Sequence, residues 1–423
     1  MERNNMTIVK QVARALFRQQ KKKLGTECRL PVIKPAIVSK RKAVDTKPKR
    51  RKKEPLETLV DIAYKFTCSK SNNSLGTIKL DCIKIPGSSQ NRVSVKATDT
   101  ERWFSGSALQ VGDDSTDTQV CIDAKKAKAA VVLPRGMFQG IRIGKRGANI
   151  NNTYIPVGCN NKDYPPIPAS IDVPTQKCRF YSIPDLKQAI PFLAKAAGKA
   201  DDREVASSIF FDLKRGKLVT TDGHRLHITP TGRMAYNPKY TGKDIMMQPS
   251  VSKIARVLSG DFQILQDRHV IFGVDIPDCK AEAGYRLIDG HFRKYEGIIL
   301  KEFSGKCKVG NVEILRVLKS MEEKEPAPSI RVDFKNGKMR IQNRHKKKQV
   351  TVLHSGRHTG KDFIAGINPT FLHAAINGMP DKEVEISLPK LPKDPWTIEG
   401  TESKYMALIM PMNKRERHYR NKS

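Results

Sequence analysis

The chain lacks any apolar run near the ~18 residues that a membrane span needs, so it is expected to be soluble, with no membrane partner. Its eight cysteines (Cys28, Cys68, Cys82, Cys121, Cys159, Cys178, Cys279 and Cys307) stand apart. None forms a Cys-x-x-Cys pair or a Cys/His cluster, which argues against zinc and for free thiols in a reducing compartment. There is no Gly-x4-Gly-Lys-Ser/Thr; Gly356 and Gly360 precede Lys361 at the wrong spacing and run into Asp362. His-Glu-x-x-His and Gly-x-Ser-x-Gly are missing too. Asp222-Gly223-His224 and Asp289-Gly290-His291 come nearest to a metal pair, without the clustered carboxylates of a metal nuclease. No catalytic residue, metal or cofactor is therefore expected, and the chain reads as a non-enzyme. Acidic residues are also scarce: 43 Asp+Glu stand against 78 Lys+Arg, a formal charge of +35.

That imbalance is the strongest positive signal in the sequence. So large a positive charge favours a polyanion, nucleic acid before an acidic membrane surface. Residues 1–54 concentrate it, with 18 Lys/Arg and 4 Asp/Glu. Ile8, Val9, Val12, Leu16 and Phe17 have helical spacing, but Pro31 and Pro35 interrupt the stretch after them. This segment is read as a basic disordered tail, able to hold DNA without sequence preference. A transit or nuclear-import address stays open for it.

From residue 55 the chain repeats itself. An amphipathic helix (Leu56–Phe66, Asp185–Ala197, Val312–Met321) precedes a hairpin in each copy. The hairpins are Ile78–Ile85 with Val93–Ala97, Ile209–Leu213 with Lys217–Thr220, and Ile330–Phe334 with Lys338–Gln342. A polar corner comes next: Thr98-Asp99-Thr100-Glu101, Thr221-Asp222-Gly223-His224, Gln342-Asn343-Arg344-His345. Then come a strand and a second helix at Asp123–Leu133, Ser250–Leu258 and Asn368–Met379. A period of about 120–130 residues is too long for a solenoid. The expected fold class is α+β, with three similar domains, each with two helices packed on antiparallel sheet. Their bounds are 55–172, 173–303 and 304–412, with a basic tail at 413–423.

Several of these helices carry basic pairs three or four residues apart, and hence on one face. The pairs are Lys125/Lys128, Lys195/Lys199, Lys253/Arg256 and Arg316/Lys319. Ile190 and Leu193, Ile254 and Leu258, and Leu315 and Leu318 mark the opposite, buried faces. One pair is only a solvated face; four on repeated helices suggest a continuous cationic surface for phosphates. The helix near Lys65, which Asp61 accompanies, and the helix at 370–376 break the pattern.

Three stretches carry a resemblance: Thr221-Asp222-Gly223-His224-Arg225-Leu226; Tyr285-Arg286-Leu287-Ile288-Asp289-Gly290-His291-Phe292 with Tyr295 and Ile298; and Tyr405-Met406-Ala407-Leu408-Ile409-Met410-Pro411-Met412. Thr98-Asp99-Thr100-Glu101 and Asp163-Tyr164-Pro165 add weaker matches. Over residues 55–412 the chain resembles the bacterial β sliding clamp, the processivity subunit of DNA polymerase III. The resemblance implies a head-to-tail homodimer closed into a ring round double-stranded DNA. The replicative DNA polymerase, other motif-bearing proteins and an ATP-dependent clamp loader would be its partners, in the cytoplasm of a bacterium or phage-infected cell.

The resemblance also implies a groove for partner peptides, lined by Thr221, Gly223, His224, Arg225, Leu226, Ile298, Leu408, Ile409, Met410, Pro411 and Met412. It places Lys199 and Arg203, with Lys253 and Arg256, in the lumen, and Tyr154 and Met321 at the dimer seam. Departures are Arg293 where the family has Pro, no Arg near Gly297, a small Ala206, and Asn413 where a basic residue is common. The strong positive charge and the tails also depart from it. The alternative is a clamp-fold DNA-binding scaffold recruiting transcription or repair factors; a nuclease comes third.

Overall fold

The computed structural model describes residues 53–68, 74–111, 117–132, 140–167, 178–198, 207–232, 245–265, 268–322, 330–343 and 350–412. Residues 1–52 and 413–423, Lys199, Arg203 and Ala206 lie outside these residues, as do Arg344 and His345 of the third polar corner.

Helix α1 spans Pro55–Ala63 and is opened by a capping box between Glu54 and Glu57. Its partner α2 spans Ala124–Val132. Helix α3, Leu186–Ala194, packs on a helix at Pro249–Val257, and α4, Asn311–Glu322, on α5, Pro369–Ile376. The three expected pairs are therefore present, with one change of type. The Pro249–Val257 segment winds as a 3-10 helix, and its Ser250, Val251, Ser252 and Val257 are all poor α-formers. Leu59 and Val60, Phe192 and Leu193, Ile314 and Leu318, and Leu372 and Ile376 point from these helices into the main core.

The expected hairpins form, with strand ends shifted by at most three residues. In the third, Asn336 and Gly337 both have positive φ, 54° and 70°. That pairing closes a two-residue turn matching strand twist, and Asn-Gly adopts it at least cost.

Among the described residues one sheet has eleven strands. Its order is Ile141–Gly144, Gly147–Ile150, Thr153–Cys159, Thr118–Asp123, Thr77–Lys84, Gln90–Thr98, Arg102–Val111, Cys279–Arg286, His269–Val274, Leu258–Leu265 and Cys178–Ser182. A second has nine: Ile245–Met247, Ile209–Asp212, Lys217–Thr221, Arg225–Pro230, Met406–Ile409, Trp396–Gly400, Glu383–Leu388, Gly305–Gly310 and Arg357–Gly360. A third has four, Val350–Leu353, Lys338–Asn343, Ile330–Lys335 and Phe363–Ile367. Two ladders therefore join distant parts of the chain. Arg102–Val111 pairs with Cys279–Arg286, and Arg225–Pro230 pairs with Met406–Ile409. We call these the first and second junctions.

Candidate partner groove and nucleic-acid interface

Each junction begins at the same turn. At the second, Thr221 Oγ accepts from Gly223 N at 3.0 Å and donates to Arg225 O at 2.7 Å. Asp222 accepts from His224 N at 2.9 Å and Arg225 N at 3.0 Å, and holds Arg225 Nε at 2.9 Å. At the first, Thr98 Oγ accepts from Thr100 N at 3.0 Å and donates to Arg102 O at 3.0 Å. Asp99 holds Arg102 N and Nε, each at 2.8 Å. The left-handed residue is Gly223 in one and Thr100 in the other, at φ 88° and 76°. Glycine takes that conformation freely and threonine under strain, so the turn tolerates either where Thr and Asp side chains replace backbone partners.

The next strand then bonds back identically. Met410 N donates to His224 O at 2.9 Å, and Arg286 N to Glu101 O at 2.8 Å. Arg225 faces Ile409, as Arg102 faces Tyr285.

The two junctions diverge in what lies beneath. At the second, Val219, Leu226, Ile228, Tyr295 and Leu408 form an apolar cluster separate from the main core, flanked by Phe210, Phe292, Ile299 and Met406. Phe210 stacks on Phe292 at 4.8 Å. Tyr295 donates to buried Asp212 at 2.8 Å, and Arg215 joins Asp212 to Glu296 at 3.0 and 2.7 Å, which pins the 292–299 segment over the sheet. At the first, register puts Lys79, Lys96, Ser105 and Glu282 where the second has Phe210, Val219, Ile228 and Met406. Trp103 faces Gly284, where Leu226 faces Leu408, and its indole fills the space a side chain at 284 would need. One junction therefore carries an apolar floor and its twin a charged one sealed by tryptophan.

The cationic residues gather on the helices. Lys65 Nζ donates to Lys253 O at 3.1 Å, tying the end of the first helix pair to the 3-10 helix of the second. Lys128 Nζ sits 4.2 Å from the Tyr64 ring centroid. Burial first, and then the charges of Lys128, Lys53 and Arg256, push the Lys65 ammonium below its usual pKa, against the pull of Asp61. Repulsion of this kind is relieved by a polyanion.

No family model and no curated protein matches the chain in sequence. Solved structures do match. The DNA polymerase III β subunit of Thermotoga maritima superposes with a TM-score of 0.68 at 17% identity, covering 85% of this chain and 97% of that one. The β clamp of Helicobacter pylori, solved with a DNA ligase peptide, gives 0.67 at 19%, covering 85% and 98%. The DNA polymerase III β subunit of Pseudomonas aeruginosa gives 0.67 at 15%, covering 85% and 98%. The fold is that of the sliding clamps.

Within this clamp fold the expected groove residues come together unevenly. Leu226 and Leu408 lie in the apolar cluster, and Gly223, His224 and Met410 are exposed beside it. Thr221, Arg225, Pro411 and Met412 are half-buried, and Ile298 is exposed. Ile409 is buried in the main core instead, because neighbours along a strand face opposite ways. Lys125, Lys253, Arg256, Arg316 and Lys319 are exposed; Lys128 is half-buried against Tyr64. Lys195 is half-buried too, its Nζ 3.3 Å from where Gly378 would carry a Cβ, so it serves the joint between α3 and α5 more than a solvated face. Tyr154 is 59% exposed, its hydroxyl donating to Arg146 O at 2.8 Å. Met321 ends α4.

Sequence reasoning gives no site role to Lys65, Phe210, Val219, Ile228, Phe292, Tyr295 or Phe371, although Phe292 and Tyr295 stand in a stretch that carries the resemblance. The Arg225 guanidinium lies 4.5 Å from the Phe371 ring centroid. Strand alternation at Val219, Leu226 and Ile228 was the available signal for a second apolar face.

His227, fully buried between these layers, stacks on Phe192 at 4.3 Å and bonds Phe192 O through Nδ1 at 2.8 Å. Burial drives its pKa down to about 3. The folded state then binds fewer protons than the unfolded one, so stability falls as pH drops below ~6.5, by about 2 kcal/mol at pH 5. Denaturant melts from pH 7 to 4.5 should show this acid-side loss, and His227→Gln should flatten it; an unchanged slope would move the effect to other groups.

Proposed function

We propose that the chain is a DNA sliding clamp, a non-catalytic scaffold whose ring encircles duplex DNA and tethers a replicative polymerase and other proteins bearing short apolar motifs. The modules of each chain are set at 55–172, 173–303 and 304–412, and two chains meet head to tail near Tyr154 and Met321. An ATP-dependent loader would open the ring. The observation that carries the reading is the contrast between the junctions. Two joints built on the same turn differ in what lies beneath it: the first has charged residues sealed by Trp103, the second a buried apolar cluster with Met410 exposed beside it. Its floor matches what an apolar peptide needs, exposed Met410 included, since thioether side chains adapt to varied occupants. Lys65, Lys128, Lys253 and Arg256 support the DNA side of the reading, being sequence-blind phosphate partners.

Topological retention tests the function directly. Loaded on nicked circular DNA, the protein should remain bound in ~1 M salt and fall off once the circle is cut. Loss from the intact circle at that salt would leave a surface binder. Light scattering should report a dimer mass for the free protein.

A further inference from the structure

Cys121 and Cys159 are directly opposite each other on neighbouring antiparallel strands, Thr118–Asp123 and Thr153–Cys159. Both are free thiols; Cys121 is buried and Cys159 half-buried. Residues opposite one another in such a ladder have Cα atoms about 4.5–5.5 Å apart, inside the ~4.4–6.8 Å window that a disulfide spans. A register shift comes at the next pair, Ile122 facing Val157, so the ladder is already irregular where the thiols meet. Cys121 Sγ donates to Asn161 Oδ1 at 3.2 Å, and Cys159 Sγ lies 3.5 Å from Thr77 Oγ. These contacts hold both sulfurs on one face of the sheet.

We propose that Cys121 and Cys159 form a cross-strand dithiol that low-molecular-weight disulfides oxidise to an intrachain bond. The half-exposed Cys159 reacts first. Its thiolate attacks one sulfur of glutathione disulfide and expels one glutathione thiolate. The Cys121 thiolate then attacks Cys159 Sγ and expels the second. Two protein thiols lose two electrons and two protons, and one glutathione disulfide becomes two glutathiones. Burial first, then the neighbouring Cys159, raises the Cys121 pKa. That slows the second attack without preventing it. The bond would staple the strand that carries Tyr154 to the rest of its sheet. Any effect on a seam between chains rests on the dimer reading above; the bond itself does not.

The test uses the full chain, reduced, desalted and incubated with glutathione disulfide. Peptide mapping without reductant should find residues 121 and 159 joined, with the link reversed by dithiothreitol. Amide exchange over Thr153–Cys159 should slow by about tenfold or more in the oxidised protein. Cys159→Ser, a small exposed-side change, should fold normally and lose both effects. Glutathione captured on Cys159 with no internal link, or both thiols still open to alkylation after exposure, would overturn the proposal. Failure here leaves the clamp reading untouched, since retention on circular DNA is measured in reductant.

Discussion

Reversing Lys65, Lys128, Lys253 and Arg256 to glutamate together should cut duplex affinity by on the order of a hundredfold at ~0.1 M salt. The slope of log affinity against log salt should fall by about three to four, near 0.9 for each phosphate contact removed. Lys65 bonds the backbone of Lys253, Lys128 is held on Tyr64, and Arg256 shares the field that depresses the Lys65 ammonium. The four lie close enough together that one stretch of phosphate backbone would meet them all, as scattered surface lysines would not. The like charges cost stability without a polyanion, so relieving them should leave the melting temperature level or higher. Lys253→Glu with Arg256→Glu, both exposed, gives the same reading without disturbing half-buried Lys65. Reversal of Arg316 and Lys319, exposed on α4, is the control. If the control lost as much affinity as the cluster, the interface would be diffuse charge.

The second expectation uses the twin turns against each other. Asp222→Ala removes the acceptor of His224 N, Arg225 N and the Arg225 guanidinium, and Asp99→Ala that of Arg102 N and the Arg102 guanidinium. The carboxylates are equally shielded, at 14% and 15% exposure, so each loss should cost a similar 2–4 kcal/mol. Only Asp222→Ala should also weaken an apolar partner peptide, by about tenfold or more, roughly 1.4 kcal/mol. Its turn places His224 beside the apolar floor and Arg225 on Phe371, and Asp99 serves a floor that is charged and sealed by Trp103. Equal peptide affinity in the two variants would remove the groove from the second junction.

Much of the architecture could be read in the residues beforehand, and the reasons differ by element. The hairpins were legible because Asn336-Gly337 and Lys214-Arg215-Gly216 are turn signals between alternating runs. The repeat was legible because Thr98-Asp99 and Thr221-Asp222 recur at a fixed offset with the same hydrogen-bonding duty. The joining of strands 102–111 and 279–286 was not, because pairing between segments so far apart leaves no local pattern. The resemblance puts Ile409 in the groove beside Leu408, and the pleat turns its side chain into the main core. Lys65 has Asp61 close by in sequence, yet its ammonium reaches Lys253, far along the chain. Phe371 could not be connected to Arg225 without the packing of α5.

The two joints also differ in length. Seven facing residue pairs, Arg102 to Ala108 against Tyr285 to Cys279, lock the first, and four, Arg225 to Ile228 against Ile409 to Met406, lock the second. Bending a joint means shearing its ladder, so the shorter one is the softer. Flexure within a chain would therefore concentrate next to the apolar floor. An occupant lying across the strands of Leu226 and Leu408 would act as a splint and stiffen the chain there.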